Sequence, residues 1–151
     1  MKYLLLALFA ALSATNTYAQ LTVNEPWVRA TVAHQKATGA FMQITALQDA
    51  RLVDVRSPLA STVEIHEMAL RNNIMTMRPV SSLELPAGKS VELKPGGFHL
   101  MLFGLKQAIK EGDIVPVTLV IEGKDRQRQS IELKIPARAL NSATAGSHQG
   151  H

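Results

Sequence analysis

Cysteine is absent from the 151 residues. A chain without a thiol forms no disulfide, so an exported copy has to be held together by its core. It also lacks the thiolate that a blue-copper electron-transfer site requires and the paired thiols of a dithiol redox protein. Aromatic residues are few: one Trp, two Tyr and four Phe. Stacking platforms for bases are therefore missing, and the basic residues Arg51, Arg56, Arg71, Arg78, Lys94, Lys106 and Lys110 are scattered. The formal charge is +4, and its one cluster, KDRQR at 124–128, lies between two strand-like runs and reads as a solvated turn. Nucleic acid is not an expected partner. There are no internal repeats, and beyond the N-terminus no apolar run is long enough to cross a bilayer.

The N-terminus, MKYLLLALFAALSATNTYAQ, has a charged start at Lys2, an apolar run over residues 4–12 and a small residue, Ala19, suited to cleavage before Gln20. Residues 1–19 read as a secretory signal peptide, too short and wrongly flanked for a transmembrane helix. No Cys follows the run, so a membrane-anchored form is not expected. The remainder suits one domain with a sizeable core.

Short β-rich runs recur along that remainder: WVRAT (27–31), GAFMQITAL (39–47), ARLVDVRS (50–57), STVEIHEM (61–68), IMTMRPV (74–80), SVELK (90–94), FHLMLFGL (98–105), DIVPVTLVIE (113–122) and QSIELKI (129–135). Turn signals such as RNN, LPAGK, KPGG and EGKD separate them. The pattern predicts an all-β domain, a β-sandwich or Greek-key barrel, over residues 20–136. Pro116 inside its run points to an edge strand or a bulge. GLKQAIK (104–110) is expected to make a short helical or 3₁₀ turn. The segment 137–151 is small and polar with no apolar period and reads as a flexible tail.

Two strands share an unusual pattern. With period two, His99 and Met101 lie on one face and Leu100 and Leu102 on the other. His66 and Met68 repeat this, with Val63 and Ile65 opposite. Met75 and Met77 share a face of the next strand. Asn72-Asn73 suits a two-residue hairpin, because Asn tolerates positive φ. Met68 then faces Met77, with His66 diagonal to Met77 and within reach of a long side chain. Met also fills gaps in cores, and a lone His in a strand is often a satisfied structural residue. Two H-x-M units in one segment are harder to assign to packing. Thioether sulfur is a soft ligand suited to Cu(I), imidazole also suits copper, and zinc makes little use of Met. A Met/His set without Cys points to copper.

The spacing His66-x10-Met77-x21-His99-x-Met101 resembles the periplasmic copper chaperones of the PCuAC type, also called DUF461. PWVRAT, SPLASTVEIHEM, MTMRPV, LPAGKSVELKPGGFHLMLFGLK and GDIVPVTLVIE follow the family order. The likeness covers residues 21–135 or so. It implies a cupredoxin-like β-sandwich that is not an enzyme and holds one Cu(I) through two Met and two His, here His66, Met77, His99 and Met101. It implies transient delivery of copper to the Cu(A) centre of cytochrome c oxidase, or to another copper carrier, by a periplasmic monomer. Met68 and Met75 would shape or shield the site. Some members carry a His- or Met-bearing extension that helps to hold Cu(II), which makes His148 and His151 candidate auxiliary ligands. His34 lies in a polar loop, TVAHQKATG. TALQDA lacks an Asn common in the family, a turn detail away from the ligands.

Two other readings stay open from sequence. One is copper buffering or resistance with no dedicated acceptor, through the same ligands. The other is a plain β-sandwich interaction module in which Met and His are packing. No G-x-S-x-G turn or comparable constellation supports a hydrolase.

Overall fold

The computed structural model describes residues 20–139, and among these every regular element is a strand. The strands are β1 (Leu21–Arg29), β2 (Ala37–Ala46), β3 (Ala50–Arg56), β4 (Thr62–Arg71), β5 (Ile74–Val80), β6 (Leu83–Leu85), β7 (Ser90–Leu93), β8 (Phe98–Phe103), β9 (Ile114–Gly123) and β10 (Arg128–Arg138). They follow the order β5-β4-β8-β7-β2-β1-β10-β9-β3-β6. One layer runs from β5 to β1; β10, β9, β3 and β6 form the other. A short parallel pairing joins the layers, with Val28 beside Ala137 and Arg29 beside Arg138. β7 and β8 share the same edge of β2 end to end, β7 pairing with 42–45 and β8 with 37–40. This is the cupredoxin-like sandwich expected from the sequence.

The core lies between the layers. Ile44, Leu100 and Leu102 from one, and Leu52, Leu119, Ile121 and Ile135 from the other, are sealed from solvent. Each contributes about 1.5–3 kcal/mol on burial, and no disulfide supplements them. Among the described residues no helix is long and apolar enough to cross a membrane.

The hairpin between β4 and β5 forms at Asn72 and Asn73, with φ of 51° and 62°. Positive φ at both central residues is the type I′ geometry whose twist matches paired strands. It fixes Met68 opposite Met77 and His66 opposite Pro79.

Other details depart from the sequence reading. β1 begins at Leu21, six residues before WVRAT, and β6 is an additional strand pairing with β3. GLKQAIK makes no helical turn. Leu105 and Ile109 instead insert into the core, 2% and 1% exposed. Their amides bond to Lys36 O and Thr31 Oγ1, which removes the local i to i+4 bonding a helix needs. Pro116 sits in β9, an interior strand, but beyond the end of β3 pairing at Thr118. Its nitrogen has no ladder to serve on that side, and its carbonyl accepts from Ser57 Oγ. β10 continues through Ala137 and Arg138, so these two residues belong to the sheet and not to a tail. The expected signal peptide and the tail residues His148 and His151 lie outside the described residues.

Candidate metal centre

Strand alternation sends Leu100, Leu102 and Ile65 into the core and turns His99, Met101, Glu64, His66 and Met68 to the outer face of the first layer. Pairing of β4 with β8 places His66 opposite His99 and Glu64 opposite Met101. The hairpin brings Met77 opposite Met68, and β2 brings Gly39 opposite Met101. Three neighbouring strands, β4, β5 and β8, thus gather imidazoles and thioethers onto one patch, and β2 borders it with Gly39.

The two histidines are outward-facing yet buried, at 5% and 6% exposure, whereas Met77 on edge strand β5 is 47% exposed. Their rings lie 5.7 Å apart. Phe103 stands 5.6 Å from His66 and Phe41 6.3 Å from His99. Phe41 packs on Trp27 at 4.6 Å, and the Arg29 guanidinium lies 5.3 Å above Phe41. A cavity of about 270 Å³ opens here, lined by Arg29, Phe41, Met68, Met77, His99 and Met101 among others. Of the four expected ligands, Met77, His99 and Met101 line it. His66 does not, and adjoins it through the His99 ring.

Each imidazole is oriented by a bond to one nitrogen. His99 Nδ1 donates to Gly97 O at 3.1 Å, so its Nε2 carries a lone pair in the neutral ring. That Nε2 stands 3.1 Å from the Met77 sulfur, a second lone-pair donor. Burial holds the His99 imidazole below its ordinary pKa; the Gly97 carbonyl opposes this, and His66 and Arg29 reinforce it. His66 Nε2 donates to Glu64 Oε2 at 2.6 Å. Its Nδ1 is buried without a hydrogen-bond partner.

Among the described residues no group of three or more His, Cys, Asp and Glu is arranged to hold a metal. A cation here would depend on sulfur, which selects a soft ion. Met75 is half-exposed near the hairpin and does not line the cavity, and His34 lies in an exposed turn with φ of 67°. Sequence reasoning did not single out Glu64, Phe41 or Arg29. Glu64 was within reach, since it shares the face of His66 two residues away.

The family described as "Putative lipoprotein LpqE-like" matches residues 21–137. The chain belongs to the LpqE-like family. A curated relative, "Putative lipoprotein Lxx21020" of Leifsonia xyli subsp. xyli (strain CTCB07), is 35% identical over 98 residues, 64% of this chain and 59% of its own length. The chain spans about three fifths of the length of the curated relatives it matches. The solution structure of apo-DR1885 from Deinococcus radiodurans matches over 91% of this chain and 93% of its own, with 26% identity and a TM-score of 0.58. That of CuI-DR1885 matches over 85% and 82%, with 25% identity and a TM-score of 0.51. The copper-bound PCuAC domain from PmoF2 shares the fold over 80% of this chain and 96% of its own, at 21% identity and a TM-score of 0.60. The PCuAC resemblance read from the motif is thus borne out, and this LpqE-like chain carries it on a sandwich whose outer face gathers the motif's side chains.

Proposed function

We propose that this LpqE-like chain is an extracytoplasmic copper chaperone, and that it holds one Cu(I) through His66, Met77, His99 and Met101. One observation carries the reading. His99 Nε2 and the Met77 sulfur converge to 3.1 Å, and in the neutral ring whose Nδ1–H donates to Gly97 O both are electron-pair donors. A soft cation satisfies both at once. DR1885, a neighbour at 25% identity, has been solved with Cu(I), which supports the choice of ion.

The chemistry is carriage and not catalysis. Four neutral ligands hold Cu⁺ without burying an extra anion, which would be costly. The half-exposed Met77 side chain gives a partner's ligands a place to start displacing these ones, while the buried imidazoles hold the ion. Transfer runs toward stronger donors, such as the thiolates of the Cu(A) centre in cytochrome c oxidase or another carrier. The contact is transient, and the protein acts as a periplasmic monomer after cleavage of residues 1–19. His148 and His151 offer an auxiliary Cu(II) site.

An anaerobic titration of residues 20–151 against a chromophoric Cu(I) chelator tests the site, alongside Met77→Ala and His99→Ala. One Cu(I) per chain, weakened by either substitution, is expected. Failure to compete with the chelator, or binding indifferent to both substitutions, returns the motif to packing.

A further inference from the structure

The structure distinguishes the two histidines by which nitrogen is already engaged. His99 donates a hydrogen bond from Nδ1–H to a backbone carbonyl and keeps Nε2 bare beside the Met77 sulfur. His66 does the reverse. Its Nε2 is committed to the Glu64 carboxylate at 2.6 Å, and its Nδ1 is left buried and unpartnered. A carboxylate accepts and cannot donate when ionised, so the proton on this bond belongs to the imidazole. The neutral His66 ring therefore carries its lone pair on Nδ1.

An unpartnered buried nitrogen is unfavourable unless something else meets it. His66 is 5% exposed and its ring lies 5.7 Å from that of His99. Histidines that bind metals commonly donate their other ring N–H to a carboxylate or a carbonyl, which fixes the tautomer and the ring orientation. Both rings show this arrangement, with opposite nitrogens. Glu64 is half-exposed and lies opposite Met101 on the neighbouring strand.

We propose that Glu64 is a positioning residue for the metal centre, and that copper is bound through Nδ1 of His66 and Nε2 of His99. The inference rests on the four-ligand reading above and assigns its atoms. Glu64 touches no ion. Through the Nε2–H bond it holds the His66 ring so that Nδ1 faces the ion.

The test uses residues 20–151 labelled with ¹⁵N-histidine and loaded anaerobically with Cu(I), which is diamagnetic. Long-range ¹H–¹⁵N correlation spectra separate protonated from metal-bound ring nitrogens. The expected pattern is His66 with Nε2 protonated and Nδ1 bound, and His99 with Nδ1 protonated and Nε2 bound. Glu64→Ala should weaken Cu(I) binding about tenfold or more in the chelator titration. Glu64→Gln should restore most of the loss, because its amide oxygen still accepts from Nε2–H. Urea midpoints of both variants show whether the fold is intact. Metal on Nε2 of His66, or affinity unchanged in Glu64→Ala, overturns the inference. So does a loss in Glu64→Gln as large as in Glu64→Ala. If His99→Ala also leaves Cu(I) binding unchanged, the four-ligand reading itself fails; if it weakens binding while the His66 nitrogen is the wrong one, only the assignment of atoms fails.

Discussion

Gly39 lies opposite Met101 on β2, and the absence of its side chain is what lets Phe41 lie against the site. A Cβ placed there would meet Cζ of Phe41 at 2.8 Å and Cε2 at 3.3 Å. The ring has little room to retreat, since it is 5% exposed and packed on Trp27 at 4.6 Å. Gly39→Ala should therefore overpack the wall, at a cost of about 1–3 kcal/mol. Alanine in a strand regains about 0.5–1 kcal/mol over glycine. The net loss expected is up to about 2.5 kcal/mol, read as a lower urea midpoint at unchanged slope. In a Phe41→Leu background the ring is gone, and the same Gly39→Ala change should be neutral or slightly stabilising. The strand gain is common to both backgrounds, so the double-mutant cycle should give the overpacking alone, a coupling of about 1–3 kcal/mol. Additivity within about 0.5 kcal/mol would falsify the claim that Gly39 is needed for the Phe41 ring.

Other substitutions separate core from site. Leu100→Ala, at a fully buried position facing the core, should cost about 2–5 kcal/mol in urea unfolding of the copper-free chain. Met77→Leu, at a half-exposed position, should change stability by no more than about 0.5 kcal/mol, while weakening Cu(I) binding in chelator competition at least about tenfold by removing the thioether that stands 3.1 Å from His99 Nε2. Because burial lowers the His99 pKa, the unfolded chain binds more protons just below about pH 6.5, the ordinary imidazole value. The His99 contribution to stability is thus complete above that pH and is lost as pH falls toward the lower folded value. Urea midpoints from pH 7.5 downward should show this decline, and a His99→Leu variant should show less of it. Glu122 accepts from Arg51 and Arg128, and these bonds, with Arg51 foremost, hold its carboxyl below the usual range. Its contribution is present above about pH 4.3 and disappears as pH falls toward the folded value, so Glu122→Gln should flatten the acid limb of the stability curve.

Much of the fold was legible because strands announce themselves by period two. The alternation in FHLMLF separates Leu100 and Leu102 from His99 and Met101, and burial follows it. The Asn72-Asn73 hairpin was legible for a local reason: its conformation depends on two residues whose side chains tolerate positive φ. GLKQAIK misled because helical propensity is a weak prior that tertiary bonding overrides. Its amides and carbonyls find partners on distant segments at Lys36, Thr31 and Leu59. β6 was illegible because LEL is three residues between serines and a proline, too short for alternation to stand out.

The site divides along the same line. Period two and one hairpin suffice to place His66, Met68 and Met77 on a common face, since both are local. Whether that face meets His99 and Met101 depends on the register of β4 against β8, strands separated by more than twenty residues. A slip of one residue would send the β8 donors to the opposite side. The motif spacing stood in for that register through a family likeness, and the pairing of His66 with His99 supplies it physically. Phe41 and Arg29 had no such proxy. They reach the cavity only because β2 pairs with β8 and β1 with β2, so that Gly39 meets Met101 and Trp27 meets Phe41. Glu64 is different: it shares the face of His66 two residues along the same strand, so the sequence already placed it within reach. What could not be read was that its carboxylate accepts the Nε2–H hydrogen bond and leaves Nδ1 with the lone pair of the neutral ring, because that depends on which way a ring turns within a packed patch.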